Sequence, residues 1–420
     1  MEPVPDFGAG IKGEAVEPHP GGRIKHGLGV QVVRMIAFAT WFWSVVVTTC
    51  ATQYLGMPLY LINRDYYYAY MALTKQSFGL LIITITQWFS PTTIRVSGDK
   101  SVRGQLLRTK DGRLQTDFPE RLVLISNHQL YTDWLYLWWI AYTSKMHGHI
   151  YIILKEAMKY IPLLGPGMMF YGFIFMARNW ARDKPRLKHR LEKLKSRHGG
   201  PMSGTQSLDP MWLMIYPEGT NLSANTRKGS KKWADKQGIN DLRHQLLPRS
   251  TGLQYCLYEL KGTVDYVYDC TVAYEGIPQG GYGQDYFTLR STFFQGRPPK
   301  SVNMYWRRYA ASSIPIDDHA QFDKWLMARW LEKEELLEGY AQNGHFPADE
   351  GHDSDGEPAV NGFNESKVTQ GAGYIETTVR LAHWYEVGNM FSILACFALV
   401  SNIGAKIWNL ALYGSLVGKG

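Results

Sequence analysis

The stretch Leu122–Asp133 reads LVLISNHQLYTD. A short apolar run breaks into a polar turn, the pattern of a buried strand leaving a sheet. His128 and Asp133 enclose four residues. In a regular helix, at about 100° per residue, their side chains would point about 140° apart. They face each other only if the segment starts as a turn and becomes helical near Asp133. An imidazole can take a proton from a hydroxyl near neutral pH. A carboxylate within reach orients the ring and stabilises the imidazolium that forms. The competing reading makes His128 a turn histidine and Asp133 a helix cap. No GxSxG elbow occurs anywhere, so the alcohol such a pair would activate is expected to come from a substrate, not a side chain.

Outward from this stretch the pattern repeats. IYIIL (Ile150–Leu154), FIFMA (Phe173–Ala177), WLMIYP (Trp212–Pro217) and VDYVYDCTVAY (Val264–Tyr274) are strand-like and alternate with amphipathic stretches. Asp317–Glu338 reads as an amphipathic helix. Strands alternating with helices predict an α/β fold, with a mixed, mainly parallel sheet flanked by helices. IYPEGTN (Ile215–Asn221) ends another apolar run in a turn that should leave Glu218 exposed beside Gly219. Lysines and arginines crowd Arg178–Arg197. The bland reading is a solvated helix face. The functional ones are anionic lipid headgroups or a phosphorylated cofactor. No nucleic-acid module accompanies the charge, so no nucleic-acid partner is expected.

The chain has 420 residues, a formal net charge of +8, 14% aromatic and 20% charged residues. That aromatic content excludes a mostly disordered chain. A mean hydropathy of −0.25 excludes one that is membrane throughout. Four scattered cysteines without a CxxC pair give neither a disulfide framework nor a zinc site. Two runs lack formal charges, Met35–Asn63 and Gln76–Ile94. The first exceeds the about 20 residues a bilayer core requires. With Lys75 snorkelling at the start of the second run, Tyr66, Tyr67, Tyr68 and Tyr70 between them and basic flanks, they predict a transmembrane hairpin with both ends cytosolic. The alternative is a pair of buried core helices. A third apolar region, Gly388–Ala405 and then Ile407–Gly418, predicts one span plus an interfacial segment, with a re-entrant hairpin as the alternative. The GAGIKG at Gly8–Gly13 lacks strand–turn–helix context and reads as chance. The expected organisation is a flexible tail (1–30), a membrane hairpin (31–94), a catalytic domain (95–340), an acidic linker (341–373) and a C-terminal membrane segment (374–420).

Three ordered blocks carry a family resemblance: NHQLYTD (Asn127–Asp133), GFIFMAR (Gly172–Arg178) and PEGTN (Pro217–Asn221). They resemble the NHxxxxD, GxxFxxR and EGT(R) blocks of the glycerolipid acyltransferases, the 1-acylglycerol-3-phosphate acyltransferase superfamily. LLPRSTGL (Leu246–Leu253) resembles the late proline block of the lysocardiolipin and lysophosphatidylinositol branch. The resemblance implies transfer of an acyl chain from acyl-CoA to a free hydroxyl of a lysophospholipid, in phospholipid synthesis or remodelling. It implies His128 as general base, Asp133 as its partner, and Arg178, Glu218, Gly219 and Thr220, with Gly172, around the phosphoglycerol portion. Acyl-CoA would be a co-substrate, with no cofactor and no metal. It also implies an endoplasmic reticulum membrane location with the catalytic domain cytosolic. Asn221 stands where the family often has Arg, so phosphate binding could pass to Arg178 or to Arg227 and Lys228. The alternatives are a CoA-independent phospholipid transacylase and a non-catalytic scaffold that binds anionic lipid.

Overall fold

The computed structural model describes residues 19–198, 207–348, 368–369 and 373–417. The GAGIKG motif and most of the acidic linker lie outside the described residues. Eight strands form the main sheet: β1 (Thr93–Gly98), β2 (Arg121–Ser126), β3 (Ile150–Lys155), β4 (Ile174–Met176), β5 (Met211–Ile215), β6 (Tyr266–Tyr274), β7 (Ser301–Ala310) and β8 (Ile375–Thr378). Their spatial order is β8-β1-β7-β6-β2-β5-β3-β4. The β6–β7 and β1–β8 pairs are antiparallel and the others parallel. The sheet is mixed and mainly parallel, as the sequence pattern predicts.

The central strands are apolar without alternation because both faces are covered. Leu122 and Leu124 of β2 join one core cluster, and Val123 and Ile125 join the other. On the first face lie α1 (Leu28–Gly56), α2 (Arg64–Phe89) and α3 (Asp133–Thr143). On the second lie α4 (Trp180–Leu194), α6 (Ser250–Glu259) and α7 (His319–Asn343), while α5 (Ala224–Gln237) buries only Ala234 there. Asp269 of β6 ties α7 to the sheet. Its carboxylate meets Lys333 Nζ at 2.5 Å and Arg307 Nη2 at 2.7 Å, and all three are buried. Removing one partner of such a group leaves a buried charge and costs about 3–5 kcal/mol.

The expected membrane hairpin takes a different form. The segment Leu28–Ile62 is long and apolar enough to cross a membrane. The second uncharged run is a core helix instead. Ser77–Thr86 of α2 is buried without interruption, and Ile94 already belongs to β1. Gly79 permits this, since a Cβ there would sit 2.7 Å from Trp138 Nε1 of α3. A helix apolar on every side is buried on every side, whether by lipid or by protein. Lys75 does not snorkel. It is 2% exposed, and its Nζ donates to the Ile150 carbonyl at 2.9 Å. Nor does α1 project away from the domain. Arg34 donates to the Phe89 and Phe293 carbonyls at one end, and Gln53 and Cys50 reach the Gly167 and Leu163 carbonyls at the other. Its outer side, including Leu28, Val33, Ile36 and Val47, is exposed.

The C-terminal apolar region folds as one helix, α8 (Ser392–Val417), which runs through Lys406 without a re-entrant turn. Residues 375–378, expected in the membrane segment, form the sheet's edge strand β8.

Candidate active site

The turn that the NHQLYTD stretch requires is present. Strand β2 ends at Ser126 and α3 begins at Asp133, so the residues between are free of helical geometry. Asn127, fully buried, clamps this turn to β6. Its amide Nδ2 donates to the Val272 carbonyl at 2.9 Å, and its Oδ1 accepts from Val272 N at 2.8 Å. Asp133 Oδ2 accepts from Leu130 N at 3.0 Å and lies 2.9 Å from His128 Nδ1. The acid side chain is fully buried, and the imidazole is 17% exposed. With Asp133 accepting from Nδ1–H, Nε2 keeps its lone pair and can accept a proton.

Two tyrosines complete the pair. Tyr274 Oη donates to Asp133 Oδ1 at 2.5 Å. Burial, then the Asp133 charge, raises the Tyr274 hydroxyl well above its ordinary pKa, so it remains a donor. The Tyr216 ring stacks on His128, with centroids 4.1 Å apart and planes 18° from parallel. Neither tyrosine belongs to one of the three ordered sequence blocks. Each sits at the end of a strand-like run, which was the available signal.

Glu218 is not exposed as the sequence reading had it. It is 2% exposed, and both oxygens are engaged by backbone donors: His128 N at 2.9 Å and Leu246 N at 3.1 Å. Burial pushes its carboxyl up to about 8, opposed by those two hydrogen bonds. Glu218 therefore holds the His128 backbone and the LLPRSTGL loop together. Gly219 closes the turn at φ +72°, where glycine meets no Cβ strain. Thr220 follows it, half-buried.

Arg178 reaches this turn from β4. Its guanidinium donates to the Gly219 carbonyl at 3.1 Å. Its own backbone is strained, at φ +65° for a non-glycine residue. Buried Asp183 holds that conformation by accepting from Ala177 N at 2.8 Å and Asn179 N at 3.0 Å. His128, Asp133, Arg178, Glu218, Gly219 and Thr220 are thus gathered beyond the C-terminal ends of β2, β4 and β5. Open α/β sheets bind ligands at that edge. Gly172 is not gathered there. It precedes β4, at the opposite end of the strand. Arg227 is committed elsewhere, donating to Asp241 and to the Gln245 and Arg243 carbonyls. Asn221 Nδ2 donates to Gln284 Oε1 at 2.6 Å.

The family model described as Acyltransferase matches residues 95–275, and the model described as Acyltransferase C-terminus matches residues 292–365. An uncharacterised acyltransferase of Schizosaccharomyces pombe is 35% identical over 348 residues, 83% of this chain and 90% of the relative. The chain belongs to the acyltransferase family. The 2-acyl-1-lysophosphatidylinositol acyltransferase of Saccharomyces cerevisiae is 38% identical over 302 residues, 66% of this acyltransferase and 76% of the relative. Lysocardiolipin acyltransferase 1 of Gallus gallus is 32% identical over 229 residues, 54% of this acyltransferase and 55% of the relative.

Proposed function

We propose that this acyltransferase moves an acyl chain from acyl-CoA to a free glycerol hydroxyl of a lysophospholipid. The observation that carries the reading is the 2.9 Å contact between His128 Nδ1 and Asp133 Oδ2 at the open edge of the sheet. The lysophospholipid hydroxyl gives its proton to His128 Nε2 as its oxygen attacks the thioester carbonyl. Asp133 stabilises the imidazolium. The tetrahedral intermediate collapses with release of CoA thiolate, which takes the proton back from His128. Arg178 faces the phosphate of the acceptor, where a guanidinium can bind two oxygens at once. Glu218 and Tyr216 position the imidazole from behind and from above. Asn221, bonded to Gln284, puts a neutral amide pair where the family often has a cation. That favours a hydroxyl-rich headgroup such as lysophosphatidylinositol over lysophosphatidate.

The location we propose is the endoplasmic reticulum membrane, with the catalytic domain on its cytosolic side. The exposed apolar side of α1 meets the bilayer, and α8 is a second apolar helix that starts beside it, the residue before α8, Phe391, lying 5.9 Å from Trp41. Because both ends of α1 are bonded to the domain, Tyr66 stays on the cytosolic side. A Tyr66→Cys variant is expected to react with an impermeant cytosolic thiol reagent, and protection would restore the hairpin topology.

The function is tested by following free thiol release from purified protein, with acyl-CoA and a panel of lysophospholipids. Release that depends on the lysolipid and disappears in His128→Ala is the expected result. Acyl transfer from a diacyl phospholipid with acyl-CoA withheld would replace this reading with a transacylase.

A further inference from the structure

A cavity of ≈ 190 Å³ lies at the end of the sheet away from His128. Its lining includes Arg121, Tyr151 and Met211, at the N-terminal ends of β2, β3 and β5. Six residues of β2 at about 3.3 Å each put it about 20 Å from the turn that carries His128.

Its charges are unbalanced. Lys75, Arg121, Arg190 and Lys193 line it, against the single acid Asp209. Asp209 lies by Arg121, which also donates to the Thr263 and Leu194 carbonyls. Lys75 Nζ has the Ile150 carbonyl at 2.9 Å and the Tyr151 ring centre at 3.8 Å, and no acid among the described residues. Arg190 and Lys193, half-buried at the end of α4, make no hydrogen bond or ion pair with any described residue. Burial holds the Lys75 amine well below its ordinary pKa, and an anion entering the cavity favours its charged form. The remaining walls are aromatic and apolar, Tyr67, Tyr68 and Tyr171 among them. Met71, Met169 and Phe170 line the cavity, and Tyr60 borders it beside Leu61 and Ile62, which are 89% and 78% exposed.

We propose that this cavity is a second lipid site. It takes the phosphate group of an anionic amphiphile between Lys75, Arg190 and Lys193, with the chains lying along Tyr60–Ile62 at the bilayer. The basic helix thereby gains a ligand that a solvated face would not have. The site does not rest on the acyl-transfer reading, so it survives in His128→Ala.

The test uses the full chain in neutral detergent. The probes are dihexanoyl phosphatidic acid, dihexanoyl phosphatidylcholine and inorganic phosphate. The readouts are affinity and hydrogen-exchange protection. The phosphatidic acid is expected to protect amides in 67–75 and 190–194, in the wild type and in His128→Ala. The phosphatidylcholine should protect them weakly. In Arg190→Ala/Lys193→Ala, which alters only half-buried side chains, affinity should fall at least tenfold and the protection should vanish. Lys75→Met keeps the apolar stem and removes the charge, and should do the same. Unchanged affinity in the double variant, or protection confined to 126–133 and 216–221, would overturn the proposal. Equal protection by inorganic phosphate at the same concentration would overturn the assignment to an amphiphile.

Discussion

The two ends of the parallel strands are built from the same kinds of residue and treat them in opposite ways. At the C-terminal end every buried acid has assigned donors. Asp133 receives His128, Leu130 N and Tyr274, while Glu218 receives His128 N and Leu246 N. At the N-terminal end the buried groups are bases, and they go without acids. Lys75 has a carbonyl and a ring, and the Nδ1 atoms of His147 and His149 have no partner among the described residues. A fully partnered cluster is rigid, and rigidity is what general-base chemistry demands of an imidazole. An unpartnered cluster is destabilising until a ligand or a pH change alters it. The strands thus carry a preorganised end and a responsive end.

The sharpest break between the ends is expected in catalysis. His128→Ala should lower kcat by about 10²–10⁴ with a much smaller effect on the melting temperature, because Asp133 keeps Leu130 N and Tyr274 as donors when the imidazole is lost. Steady-state thiol release and a thermal melt on the same preparation check this. Next comes Glu218→Ala. It orphans two backbone N–H groups, each at about 1–3 kcal/mol, and frees the His128 backbone. Activity and stability should fall together. Glu218→Gln keeps one acceptor oxygen and should lie between wild type and Ala on both measures. A Gln variant with wild-type turnover but poor stability would confine Glu218 to a structural role.

The sequence disclosed the C-terminal end far better than the N-terminal end. The HxxxxD spacing needed a turn, and the apolar run before it supplied a strand end, so the meeting of His128 and Asp133 was legible. Five strands of the sheet were visible as apolar runs. The edge strand β8 and the first residues of β1 fall inside the supposed membrane segments, because a short strand next to an uncharged helix leaves no separate signal. Uncharged runs alone could not distinguish α1 from α2. The first meets open space and the second meets α3. That contact depends on the missing side chain of Gly79, which no periodicity records. Glu218 was misplaced for a related reason. A Pro-Glu-Gly-Thr turn reads as solvent-facing until the distant Leu246 loop closes over it. From sequence Lys75 reads as a snorkelling residue, because the strand that buries it, β3, lies far along the chain.

A smaller effect is expected at Tyr274. Tyr274→Phe removes the hydrogen bond to Asp133 and nothing else of size. A loss of about tenfold in kcat/KM, or about 1.4 kcal/mol, is expected. The carboxylate, relieved of one donor, is less firmly aimed at Nδ1, so kcat should fall while KM stays near wild type, a split that a general structural defect would not give.

The responsive end should show itself in stability with no catalytic signature. Burial lowers His147 to about 4 and His149 to about 3, the latter with help from the Lys75 charge. Both are then neutral in the folded protein, while an unfolded histidine titrates near 6.5. The folded pKa values are depressed, so the unfolded chain binds more protons between the two values. The stabilisation is complete above pH 6.5 and is lost as pH falls toward 4 and 3. Each histidine adds a slope of up to about 1.36 kcal/mol per pH unit across that window. His149→Gln removes one titrating group from the N-terminal end. Its urea midpoint should decline less steeply than that of the wild type between pH 6.5 and 4, while its pH–rate profile keeps the wild-type shape. Parallel stability curves for the two proteins would mean that His149 is hydrated or paired in the native state. The contrast between a partnered and an unpartnered end of the sheet would then fail where it is most easily measured.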